Sequence, residues 1–105
     1  MIFIIMDRDI YNKAVELSLE WGMNHGKPIR ERLIFFYSDL EDEMIERLQA
    51  ESKEIQTFAF NLYWIEADGE ITLVEARNQI IEKYPLLDDD NLSRLESQGM
   101  YYARK

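Results

Sequence analysis

Residues 30–48 of this chain recur at residues 77–95, an offset of 47. Arg30, Ile34, Tyr37, Leu40, Asp42, Arg47 and Leu48 return as Arg77, Ile81, Tyr84, Leu87, Asp89, Arg94 and Leu95. Leu33/Ile80, Glu41/Asp88, Glu43/Asp90 and Ile45/Leu92 are conservative matches, and Gly22 aligns with Gly69. Each copy is one supersecondary unit that cannot bury its apolar face alone. Two copies are too few for an open solenoid, so they must pack on each other. The expected organisation is a single domain, 1–105, with half repeats at about 6–52 and 53–99.

The spacing inside each copy is helical. Asp7 reads as the N-cap of a first helix, with Met6 and Tyr11 at staple positions. Ile10, Ala14, Leu17 and Trp21 then form one apolar stripe, closed by Gly22 and Gly26. Pro28 suits the first turn of a second helix running to Phe36 or Tyr37. From Glu41, the positions Ile45, Leu48, Ser52, Ile55, Ala59 and Leu62 step by three and four through one helix to about Glu66. A break near Ser52 and Lys53, the repeat boundary, is the alternative. Asp68 and Gly69 make a turn, and Thr72 with Glu75 has capping-box form. That fourth helix ends at Tyr84, because the residue before Pro85 avoids helical geometry. A fifth runs from about Asp88, carrying Leu92, Leu95, Gly99 and Tyr102 on one stripe. Ser52 and Gly99 occupy matching places on the apolar faces, which predicts a close helix crossing. The fold class expected is all-α, a compact bundle of about five helices built from two helix-turn-helix-helix halves. Residues 1–6 read as a short strand, an extended arm or a helical turn.

Charge narrows the chemistry. Twenty-one acidic residues against twelve basic ones leave a net charge of −9. That field repels nucleic-acid phosphates and anionic lipid, so neither direct nucleic-acid binding nor a membrane surface is expected. The chain has no cysteine, which removes disulfides, thiolate zinc sites and cysteine nucleophiles. Residues 1–6 are apolar, but they are too short for a signal core or a membrane span. A cytoplasmic, soluble protein without a cofactor is the expectation.

Several constellations invite a sharper reading. Residues 64–75 resemble a calcium-binding EF-hand loop, with Glu66, Asp68, Gly69, Ile71 and Glu75 at pattern positions. Trp64 stands where the first ligand should be and cannot coordinate a hard cation, so no metal site is expected. The single histidine, His25, lies in a turn-rich connector and reads as an exposed loop residue. A triad around it needs a nucleophile and an orienting acid that sequence cannot place, and the chain is read as non-enzymatic. The acidic runs Glu41, Asp42, Glu43 and Asp88, Asp89, Asp90 sit where helix N-termini favour negative charge. Glu43–Arg47 and Asp90–Arg94 have the spacing of helix ion pairs. Three consecutive acids exceed what one cap needs, so the runs are also candidate contacts for a basic partner. Among the amphipathic aromatics, Tyr102 continues the apolar stripe, which leaves its neighbour Tyr101 as the outward one.

In size, acidity, cytoplasmic character and lack of a catalytic set, the chain resembles the small immunity proteins of bacterial toxin–immunity pairs. The resemblance implies an acidic inhibitor that binds a cognate toxin domain, a basic nuclease, and occludes its active site. Glu41, Asp42, Glu43, Asp88, Asp89, Asp90 and Tyr101 would be its contact residues. A nucleic-acid mimic that inhibits a DNA-binding defence enzyme would use the same surface. A degenerate EF-hand-like regulatory module is the third reading.

Overall fold

The computed structural model describes residues 7–25 and 27–104. Among them are five α-helices and no strand: α1 Arg8–Ser18, α2 Arg30–Phe36, α3 Asp42–Ala67, α4 Leu73–Lys83 and α5 Asp89–Ala103. A short 3₁₀ turn, Gly22–Asn24, lies between α1 and α2. The expected all-α bundle of five helices is what forms.

Local sequence sets most of the boundaries. The Asp7 side chain accepts from the N–H groups of Asp9 and Ile10 and starts α1. Thr72 and Glu75 close a reciprocal capping box at α4. Asp88 accepts from the Asn91 N–H at α5. Gly22 and Gly69 take left-handed φ values of +78° and +82° in equivalent turns, a region open to glycine at little steric cost. Residues 1–6, with the Met6 staple position, and Gly26 lie outside the described residues.

Helix α3 is continuous, with no break at the repeat boundary. At 26 residues it extends about 39 Å. It touches each of the other four helices. Ile45, Leu48, Ser52, Ile55, Ala59 and Leu62 are all buried along it, as their spacing required. The core fills between α3 and its neighbours with Leu33, Ile80, Val15, Tyr63 and Leu95. At Gly99, α5 comes so close to α3 that a Cβ would lie 3.0 Å from Tyr63 Cγ, which places the expected close approach.

The repeat survives as geometry. Leu33 and Ile80, Ile45 and Leu92, and Leu48 and Leu95 are buried pairs at the offset of 47. Tyr37 and Tyr84 each terminate a helix with nearly the same backbone angles. Arg30 pairs with Asp42, and Arg77 with Asp89, so the same interhelix ion pair forms in both halves.

Three local expectations fail. Helix α1 ends at Ser18, three residues short of Trp21, whose backbone is extended. Trp21 is therefore exposed and does not complete the α1 stripe. Pro28 precedes α2 instead of opening it, since Ile29 is the N-cap. Arg94 does not pair with Asp90: it reaches Glu16 on α1 at 3.5 Å and Asn91 at 2.9 Å. Among the described residues Glu43 and Arg47 form no ion pair either. For Arg94, a partner on another helix outcompetes an exposed i,i+4 pair worth only a few tenths of a kcal/mol.

Candidate protein-interaction surface

Helix α1 lies between α2 and α5 and touches both. Lys13 and Glu16 of α1, with Glu20 just beyond its end, step by three and four along one part-exposed strip. Lys13 pairs with Glu16 at 3.1 Å, and its ammonium sits 4.5 Å from the centre of the Phe36 ring on α2. Glu16 pairs with Arg94 of α5, and Glu20 lies 3.6 Å from the Arg32 guanidinium of α2. The strip thus ties three helices together by charge.

Exposed aromatics stand at both ends of it. Phe35 and Phe36 meet edge to face beside a depression of about 370 Å³ that Leu17, Glu20, Glu31 and Arg32 also line. At the other end Trp21 stacks on His25, with ring centres 5.0 Å apart, and meets Tyr101 edge-on at 5.9 Å. The Tyr102 hydroxyl lies 3.1 Å from His25 Nε2. A second depression, of about 390 Å³, runs between Glu20 and Trp21 on one side and Arg94, Ser97 and Gln98 on the other. Glu20 borders both hollows, so the two aromatic ends belong to one continuous surface.

The candidate contact residues fall at separate places. Glu41, Asp42 and Glu43 stand at the start of α3, all exposed. Asp88, Asp89 and Asp90 stand at the start of α5. The second run is held against α1 and the middle of α3: Asp88 N–H donates to Asn12 Oδ1, and the nearby Tyr84 hydroxyl bonds Glu54. Position 54 is about 18 Å along α3 from Asp42. Part of each run has a local task. Asp42 and Asp89 pair with arginines, and Asp88 caps its helix, whereas Glu41, Glu43 and Asp90 have no ion-pair partner among the described residues. Tyr101 is 54% exposed, more than Tyr102, but lies about 16 Å along α5 from Asp90, in the aromatic group.

His25 is exposed, as its loop position suggested, yet it is held by Trp21 and Tyr102. In the EF-hand-like segment, Glu66 binds Arg104 through both oxygens at 2.6 and 2.7 Å, and Glu75 is spent on the capping box. Among the described residues no three acidic or histidine side chains are grouped to hold a metal ion.

Burial acts on three tyrosines. Desolvation, then Glu96, pushes the Tyr63 phenol up to about 12. Desolvation, then the hydrogen bond that Tyr84 donates to Glu54, does the same to Tyr84, to about 12. Tyr11, buried and 3.5 Å from Glu51, is raised further. These are packed core phenols, and none borders the hollows described above.

Sequence reasoning missed Phe35 and Phe36, which sit in an apolar run that reads as core. The repeat carried the signal: their counterparts in the second half are Glu82 and Lys83. A position that is charged in one copy is an outward position in the other.

No family model matches this chain, and no curated protein and no solved structure is similar to it. Among the described residues no helix is long and apolar enough to cross a membrane.

Proposed function

We propose that this chain is an acidic protein-binding inhibitor, an immunity-type protein that acts in the cytoplasm and neutralises a basic toxin domain by covering its active site. The observation that carries this reading is the set of exposed carboxylates without a local partner, Glu41, Glu43 and Asp90, within a chain of net charge −9. Each stands at a helix N-terminus beside an arginine-bound aspartate, Asp42 or Asp89. A carboxylate that no local cation neutralises keeps its field for a partner. Such fields speed encounter with an opposite charge and fix orientation more than they add affinity. On a nuclease the complementary surface is the basic cleft that holds phosphates. Asp88 contributes less, since its cap orients it toward Asn91. Tyr101 supplies an aromatic contact beyond the acidic runs.

The test is association with a basic toxin domain, sought first among the products of the adjacent reading frames. Reversing Glu41, Asp42, Glu43, Asp88, Asp89 and Asp90 to lysine in two groups of three lowers the association rate at least tenfold and flattens its salt dependence. If both groups leave rate and salt slope unchanged, electrostatic occlusion is wrong.

A further inference from the structure

Four exposed apolar side chains share the α2–α1–α5 surface: Trp21 at 52%, Phe35 at 83%, Phe36 at 51% and Tyr101 at 54%. The repeat shows that equivalent positions of the scaffold accept charge. At the offset of 47 the counterparts of Trp21, Phe35 and Phe36 are Asp68, Glu82 and Lys83. The same scaffold positions are polar in one half and apolar in the other, so the apolar version answers to something outside the fold.

The charge of this surface differs from that of the rest of the molecule. Along its centre Lys13, Arg32 and Arg94 balance Glu16, Glu20 and Glu31, while the chain as a whole carries −9. Asp9 and Asp90 lie at its margin, toward the starts of α1 and α5. A strongly basic partner finds little net attraction at that centre. Two copies of an acidic chain repel each other overall, but here each copy offers both signs of charge and an apolar area of its own.

We propose that this face is a two-fold interface between two copies of the chain, with Phe35 of one copy seated in the hollow between Leu17, Arg32 and Phe36 of the other. A two-fold contact uses the same patch twice, so it needs a patch that complements itself. Here the knob and the hollow lie side by side on one surface. Area supports the same occupant. Large side chains bury about 150–250 Å² each when fully covered, and at these exposures the four residues present roughly 500 Å² per copy. A specific interface needs about 800 Å² per partner, which the flanking polar residues complete. The molecule is flat, 44 × 37 × 18 Å, so a broad face is available for such pairing. The inference stands whether or not the chain is an inhibitor, since it rests on the α2–α1–α5 face and not on the acidic runs.

The experiment is sedimentation velocity on the full chain from about 1 μM to about 1 mM, with Phe35→Ser, Trp21→Ser and Val74→Ser as variants. Val74 is an exposed apolar residue on α4, away from the face. The expected result is a reversible monomer–dimer equilibrium that added salt strengthens, because screening relieves the repulsion between two acidic chains. Phe35→Ser and Trp21→Ser each weaken it at least tenfold, and Val74→Ser leaves it unchanged. A chain that stays monomeric at every concentration overturns the proposal. So does a dimer indifferent to Phe35→Ser and Trp21→Ser, or one that Val74→Ser weakens equally. A monomer whose binding to a basic partner is lost in Trp21→Ser also overturns it, and gives the face to that partner.

Discussion

The ring of Tyr63 occupies the space that a side chain at Gly99 would need. A Cβ there would lie 3.0 Å from Tyr63 Cγ and 3.1 Å from its Cβ, both on a residue with no exposed surface. Replacing Gly99 by alanine gains up to about 1 kcal/mol of helix propensity. Forcing one carbon into a packed core costs about 1–3 kcal/mol. The overlap involves the root of the tyrosine side chain and not a flexible tip, so the packing cost wins. Gly99→Ala should lower stability by about 1–2 kcal/mol in urea unfolding. An unchanged or higher midpoint would mean that α5 can shift away from α3.

Gly22 and Gly69 should respond alike. Both have left-handed φ, and neither would crowd a Cβ. The cost of Gly→Ala is then conformational, about 1–2 kcal/mol at each site. The two turns are far apart in the chain and share no hydrogen bond, so the double variant should lose the sum to within about 0.5 kcal/mol. A large difference between the single variants would show that the two halves are not equivalent at their turns.

The polar centre between α1 and α5 is Asn12. Its amide donates to Leu86 O at 2.8 Å, and its Oδ1 accepts from Asp88 N and from the buried Asn91 amide, both at 2.9 Å. Asn12→Ala removes these three bonds and a fourth, to Arg8 O at 3.0 Å, and leaves buried groups unpaired, at about 1–3 kcal/mol each where water cannot reach. A loss of about 3 kcal/mol is expected. In a double-mutant cycle with Asn91→Ala the two changes should couple by at least about 0.5 kcal/mol. Additive losses would show that the network is pairwise and independent.

Alkali should unfold this protein in a defined window. Tyr63 and Tyr84 have phenols raised from the ordinary value of 10 to about 12, and Tyr11 is raised further. A group whose folded pKa lies above its unfolded value contributes fully below the unfolded one. That contribution is lost as pH rises through the folded value. Stability should therefore hold to about pH 10 and fall between about pH 10 and 12. Tyrosinate absorbance gives the check: three of the six tyrosines should ionise late, together with loss of helix by circular dichroism. Ionisation of Tyr11, Tyr63 and Tyr84 near pH 10 with helix intact would contradict the burial of these phenols.

Much of this architecture is written locally. The caps at Asp7, Thr72 and Asp88 and the turns at Gly22 and Gly69 follow from side chains that bond their own backbone or relieve it of a Cβ. The buried stripe from Ile45 to Leu62 follows from period alone, because one face of a long helix must leave water. The outward position of Tyr101 followed from its place beside a stripe residue. What local rules misjudged were residues with two available partners. Arg94 had Asp90 one turn away but took Glu16 of another helix, and Trp21 continued a stripe whose helix had already ended.

By itself the sequence determined that the protein is an all-α bundle of about five helices, because spacing, capping and glycine geometry are properties of neighbouring residues. Only the tertiary structure decided which outward positions meet. It brought Phe35, Trp21 and Tyr101, from α2, a connector and α5, onto one surface and left the acidic runs at the starts of two helices. The physical reason is that periodicity specifies the inward face of each helix. The outward faces gather only where helices from distant parts of the chain lie side by side.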